Sequence, residues 1–179
     1  MVRVAIDTSL GRIVAEISTE RAPITARNFL RHVDDGLYER AAFYRASRPD
    51  NDCHEHKIRI IQGGIDPSCE HPPLPVIEHE STHLTGLRHV NGAVSAVRWD
   101  PGTAASEFFI VIGDTPELDW GGLRNSDKQG FAVFGHVVEG MDVVLRINNG
   151  QTGSHATIEF LREQMLMPPV ALRVVRLTG

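Results

Sequence analysis

The stretch "FYRASRPDNDCHEHKIRIIQGG", residues 43–64, gathers an arginine, a cysteine, two histidines and a Gln-Gly-Gly run. Cys53, His54 and His56 lie within it, and Cys69 and His71 follow. Cys and His are the usual zinc ligands, and the i, i+2 spacing of the two histidines suits a strand or a loop, so four of these five could complete a tetrahedral site. Spacing alone is a weak warrant, however. There is no C-x-x-C, no H-E-x-x-H and no second matched pair, and a polar surface loop accounts for the same residues. The sequence is therefore read as having no metal site and no cofactor. A G-x-S-x-G elbow, a Walker A loop and a G-x-G-x-x-G turn are all missing, so hydrolase, nucleotide and dinucleotide chemistry have nothing specific behind them.

Bulk properties narrow the field further. A chain of 179 residues is most simply one domain, 1–179, long enough to bury a core. A formal net charge of -5 argues against nucleic acid as partner, because a phosphate backbone demands a basic surface. No apolar run approaches bilayer-spanning length, and "MVRVAIDTS" lacks the apolar centre of a signal peptide. The expectation is a cytoplasmic monomer without membrane contact, or a periplasmic one if an export signal precedes Met1. Two cysteines are too few for a disulfide-rich scaffold, and they pair only if the chain is exported.

The elements that would position such side chains are mostly strands. Val2, Val4 and Ile6 alternate, turn formers follow, and Ile13, Ala15 and Ile17 alternate again, which is the pattern of a hairpin with one buried face. Helical spacing of Ile24, Phe29, Leu30 and Val33, with Pro23 at the start and Gly36 at the end, predicts a helix in "RAPITARNFLRHVDDG". Short strands are predicted at "KIRIIQ", "GAVSAVR", "EFFIVIGD", "FAVFGHVV" and "ALRVVRLTG", and a second helix at "EGMDVVLRIN". "IDPSCEHPPLPV" reads as a surface loop. Many short strands and two helices fit a mainly β chain closed into an antiparallel barrel, which leaves no exposed sheet edge.

Five segments, in this order, resemble the successive blocks of a cyclophilin-type peptidyl-prolyl isomerase: "APITARNFLRHVDDGLYERAAFYR", "IIQGGIDP", "TGLRHVNGAVSAVR", "PGTAASEFFIVIGDTPELD" and "GFAVFGHVVEGMDVV". The resemblance implies a closed eight-stranded antiparallel β-barrel capped by two α-helices. It implies as partners proline-containing peptides and unfolded proteins. It also makes "ASRPDNDCHEH" an enlarged loop between a catalytic arginine and the Gln-Gly-Gly strand, carrying the Cys/His cluster with it.

By that resemblance Arg45 is the central group, donating to the prolyl nitrogen as the amide loses conjugation, and Gln62 binds substrate backbone and helps to hold Arg45 in position. Phe109, Ile60 and Leu118 would wall an apolar cup for the proline ring, whereas Phe43 reads as barrel core. The departures from the family pattern are specific. An aromatic wall position falls on Arg59, a backbone-gripping Asn on Arg98, and a Gln on Glu107, which could pair with Arg45 or Arg98. The tryptophan that contacts cyclosporin in the family falls on Glu117, with Trp120 nearby but out of register, and the pocket histidine becomes Phe131. Arg98, Glu107 and Phe131 are therefore counted among the substrate-binding residues, with poor cyclosporin binding expected. An isomerase is the leading reading, and a module that grips Pro-containing peptides with little turnover is the alternative.

Overall fold

Alternation in the opening residues builds the first stretch of wall. The computed structural model describes residues 1–65, 74–153 and 159–178, so Cys69 and His71, and any metal or disulfide reading that includes them, lie outside the described residues. β1 (Val2–Thr8) and β2 (Gly11–Ile17) form the predicted hairpin, with Val4 opposite Ala15 and Ile6 opposite Ile13. These side chains, and Ile17, are fully buried, while Val2 packs at the margin of the same cluster.

The remaining strands are β3 (Ala41–Ser47), β4 (Ile60–Gly64), β5 (Ala93–Ala96), β6 (Phe108–Val111), β7 (Ala132–Glu139), β8 (Thr152–Gly153) and β9 (Met165–Arg176). All pairings are antiparallel, in the order β1-β2-β7-β5-β6-β4-β3-β9, and β9 returns to β1 to close eight strands into a barrel. The two-residue β8 pairs outside the ring, on the start of β9. Closure satisfies each strand on both sides and removes free edges.

Two helices cap the barrel as the sequence predicts, with a further one-turn helix between them. α1 (Pro23–Asp34) has Pro23 in its first turn, where a missing N–H costs nothing, and Gly36 follows its end in the left-handed conformation. It buries Ala26, Phe29, Leu30 and Val33. Ile24, expected on that face, is exposed instead, because it lies half a helical turn from Val33. α2 (Thr82–Thr85) is the short one, and α3 (Met141–Asn148) turns Val143, Val144 and Ile147 inward. No helix among the described residues is long and apolar enough to cross a membrane.

The strand period of two separates a core from a surface cup. Ile61, Val94, Phe108 and Ile110 point into the barrel, where Phe29, Tyr38 and Phe43 meet Phe108, and Phe29 also meets Tyr38 and Phe134. Their chain neighbours Ile60, Ala93, Phe109 and Val111 point outward and form a second cluster with Ile58, Leu118 and Val133. The Phe108-Phe109 pair is thus divided between the two.

β3 is the one strand of the closed ring that no sequence pattern predicts. Its alanines have little preference for extended structure, and it is held by β4 on one side and β9 on the other. A bulge at Tyr44 shifts the register between Phe43 and Arg45, which aims Arg45 to the outer face. β4 can approach β3 this closely only because Gly63 has no side chain: a Cβ there would lie 2.6 Å from the Ala42 carbonyl oxygen and 2.8 Å from the Phe43 ring. Gly63→Ala is therefore expected to lower stability by about 2 kcal/mol or more through overpacking, read as a shift of the urea midpoint. An unchanged midpoint would show that the two strands can move apart freely.

Candidate functional site

Three strands set the centre of the site by register alone. Arg45 on β3 pairs with Gln62 on β4, and Gln62 pairs with Phe109 on β6, so the three are lateral neighbours on one face of the wall. Paired residues in antiparallel strands share a face and are separated by one strand spacing. All three line a cavity of about 520 Å³, together with Ile60, Leu118, Phe131 and Arg98. Every side chain named from the sequence as catalytic or pocket-lining is brought there except Glu107. Leu118 arrives on the 3-10 turn Pro116–Leu118, and Phe131 stands edge-on to Phe109 at 5.3 Å between ring centroids. Ile58 and Trp99 also line the cavity.

Arg45 is held between two neutral amides. Its Nε donates to Gln164 Oε1 at 2.9 Å and its Nη1 to Gln62 Oε1 at 2.7 Å, while its Nη2 has no partner among the described residues. Burial first, and then the charge of Arg124, pulls its pKa down to about 10, so the group stays charged at neutral pH although poorly solvated. Gln164 is fully buried just before β9, and its own Nε2 donates to the Asn51 carbonyl, which ties the arginine to the β3–β4 connection. Sequence reading missed Gln164, because nothing local shows that it lies beside Arg45.

Gln62 has its orientation fixed from behind. Its Nε2 donates to the Tyr44 hydroxyl at 2.9 Å and faces Glu107 Oε1 at 3.5 Å, leaving Oε1 to accept from Arg45. The Tyr44 hydroxyl in turn donates to Glu107. This corrects the expectation for Glu107: it does not line the cavity and pairs with neither Arg45 nor Arg98, because Tyr44 supplies the nearest donor. Burial raises the Glu107 pKa, against the hydrogen bonds that stabilise its anion.

Arg98 and Arg59 are committed elsewhere. Arg98 makes a bidentate pair with Asp127 at 2.8 and 2.9 Å and donates to the carbonyls of Gly130 and Trp99, with its guanidinium carbon 5.3 Å from the Phe131 ring centroid. Its contribution is to pin the segment carrying Phe131. Arg59 turns away to Asn148 and Asn149, and Ile58 supplies the wall in its stead. Glu117 accepts from the Leu123 backbone, and Trp120 stacks on His83, so neither provides an indole to the cavity.

Residues 48–59 form the long connection between β3 and β4. Its base is stapled by Asn148 at the end of α3, whose Nδ2 donates to the carbonyls of Ser47 and Ile60. Its turn is built on Asp52, which accepts from the backbone of His54 and Ile58 and from Arg124. Cys53 and His54 are carried to the cavity wall, and among the described residues no group of three potential ligands could hold a metal.

Beneath Phe109 lies a buried chain that the sequence did not reveal. His89 Nδ1 lies 2.7 Å from Asp119 Oδ1, its Nε2 lies 3.0 Å from Ser95 Oγ, and its ring stacks on Phe109. These are the side chains of a hydrolytic triad, yet Ser95 is fully buried beside Phe109 on the neighbouring strand and does not line the cavity. Its role is to support the floor of the cup. Burial lowers the His89 pKa despite Asp119, and a group so depressed favours folding above its ordinary titration range. As pH falls through the folded value, the imidazole must take up a proton where it is sealed, so stability is lost on the acid side. Wild type should lose stability on acidification below the ordinary histidine range more steeply than His89→Gln, followed by urea denaturation at several pH values. Parallel curves would place the titrating group elsewhere.

Comparison with known proteins agrees with this geometry. A family model described as cyclophilin type peptidyl-prolyl cis-trans isomerase matches residues 2–166. The peptidyl-prolyl cis-trans isomerase cyp18 of Streptomyces antibioticus is 33% identical over 181 residues, covering 100% of each chain. Peptidyl-prolyl cis-trans isomerase B of Escherichia coli K12 is 29% identical over 160 residues, which is 87% of this chain and 91% of that relative. Among solved structures, a cyclophilin type isomerase from Cryptosporidium parvum superposes with a TM-score of 0.73 at 19% identity, covering 99% of this chain and 98% of that one, which supports the fold. With the family model spanning nearly the whole barrel, the chain belongs to the cyclophilin-type peptidyl-prolyl cis-trans isomerases.

Proposed function

We infer that this protein accelerates cis–trans isomerisation of X-Pro bonds in unfolded or flexible segments, and so assists slow folding steps. The carrying observation is the lateral row of Arg45, Gln62 and Phe109 facing one cavity. The X-Pro bond prefers trans only weakly, and its slow exchange comes from amide resonance that must be broken. Neither a nucleophile nor a cofactor is needed. A catalyst has to favour the twisted amide over the planar one.

The residues divide that work. Ile58, Ile60, Phe109, Leu118 and Phe131 offer an apolar cup that fits a proline ring. Arg45 presents a desolvated guanidinium whose Nη2 is left for the substrate by the described hydrogen bonds. As the amide twists, its nitrogen regains a lone pair and becomes a better acceptor, so donation from Arg45 strengthens in the transition state. The planar fork, fixed by two amide oxygens, needs little reorganisation at that moment. Gln62 and Gln164 are positioning residues in this scheme.

Arg45→Ala should lower kcat/KM in a protease-coupled assay on an X-Pro peptide by about a hundredfold, with peptide binding retained. Turnover equal to wild type would overturn the role of Arg45, and background rates in the wild type would leave only a peptide-binding module. Gln164→Ala should fall between the two and act mainly on kcat, because it loosens the arginine without touching the cup. Cyclosporin should inhibit poorly, since Glu117 and Trp120 are both directed elsewhere, and nanomolar inhibition would contradict this.

A further inference from the structure

Arg124 is the cavity-lining cation that neither the isomerisation scheme nor the packing of the barrel uses up. Besides His54, the charged side chains lining the cavity are Arg45, Arg98, Arg124 and Asp52. Arg98 is saturated by Asp127 and two carbonyls. Arg124 spends only its Nη1, on Asp52 at 2.7 Å and the His56 carbonyl at 2.8 Å, while its Nε and Nη2 have no partner among the described residues. Its side chain is 11% exposed, so it is already largely out of bulk water.

Asp52 only partly neutralises it. The Asp52 carboxylate also accepts from two backbone N–H groups. Other nearby carboxylates do not line the cavity: Glu107 accepts from Tyr44 and Gln62 behind it, and Glu117 meets the Leu123 backbone and His56. Arg45 itself meets only neutral amides. The concave wall therefore carries an excess of positive charge in a chain whose overall charge is -5. Low-dielectric walls concentrate such a field on what enters.

We propose that this cavity selects peptides bearing a carboxylate side chain next to the proline, and that Arg124 is the residue that reads it. The proposal rests on the isomerase reading, since the cup and Arg45 fix where the proline lies. A neighbouring Glu or Asp of the substrate can accept from the open edge of the Arg124 fork, whereas a Lys would meet a second cation. Arg124 thus acts on which peptide is held, and Arg45 on the amide that turns.

The test uses three tetrapeptide substrates with Glu, Gln or Lys adjacent to the proline, placed before it in one set and after it in another. At low ionic strength the Glu peptide of at least one set should be turned over with kcat/KM about fivefold above its Gln counterpart, with Lys lower still. The gap should shrink as salt is added. Arg124→Gln should collapse the Glu:Lys ratio, Arg124→Lys should keep it, and Asp52→Asn should widen it. Equal turnover of the three wild-type substrates in both sets, or a ratio untouched by Arg124→Gln, would overturn the proposal. Should Arg124→Gln fail to fold, the wild-type ratio, its salt dependence and the Asp52→Asn comparison still decide. If no peptide is accelerated at all, the isomerase reading is what fails, and dissociation constants of the same peptides by NMR titration decide the charge preference.

Discussion

A guanidinium held between two amide oxygens on a desolvated wall is the constraint to which the rest of this protein answers. Charge taken out of water is costly unless its donors are matched, and a carboxylate partner would neutralise the group proposed to act on substrate. Gln62 and Gln164 resolve the conflict by accepting two hydrogen bonds without cancelling the charge. Each of them needs support in turn. Tyr44 and Glu107 orient Gln62, and Gln164 bonds the backbone of the long β3–β4 connection, so the bulge in β3, the start of β9 and that connection all serve one side chain.

The apolar half of the site follows from the same wall. Because successive side chains in a strand alternate, the outward set on β4, β5 and β6 becomes a cup at the same register at which the inward set becomes the barrel core. Phe108 locks into the aromatic interior and Phe109 faces the cavity, its ring resting on the buried His89. Pocket and core are two faces of one sheet, so the position of the cup is set by the packing that stabilises the fold.

Much of this was legible in the sequence, and the remainder was hidden for identifiable reasons. The hairpin, the helices at 23–34 and 141–148 and most strands follow from alternation, helical spacing and Pro or Gly punctuation. β3 escaped because tertiary pairing overrides the weak extended preference of its alanines, and the early part of β9 because Pro168 and Pro169 argue against a strand. Ile24 lies on the exposed face of α1, opposite the side its spacing with Phe29 and Leu30 suggests. At the site, the family pattern names Arg45, Gln62, Ile60, Phe109, Leu118, Arg98 and Phe131, and these residues line one cavity. Partnerships were another matter. That Glu107 meets Tyr44, that Arg98 meets Asp127, and that Gln164 reaches Arg45 depend on contacts between segments far apart in the chain, about which local pattern is silent.

The ion pair between Asp52 and Arg124 joins the β3–β4 connection to the segment that follows Leu118. Neither piece is self-sufficient at the cavity mouth. Removing either partner would strand a buried carboxylate or a half-dressed guanidinium, so the two segments hold their shape only together.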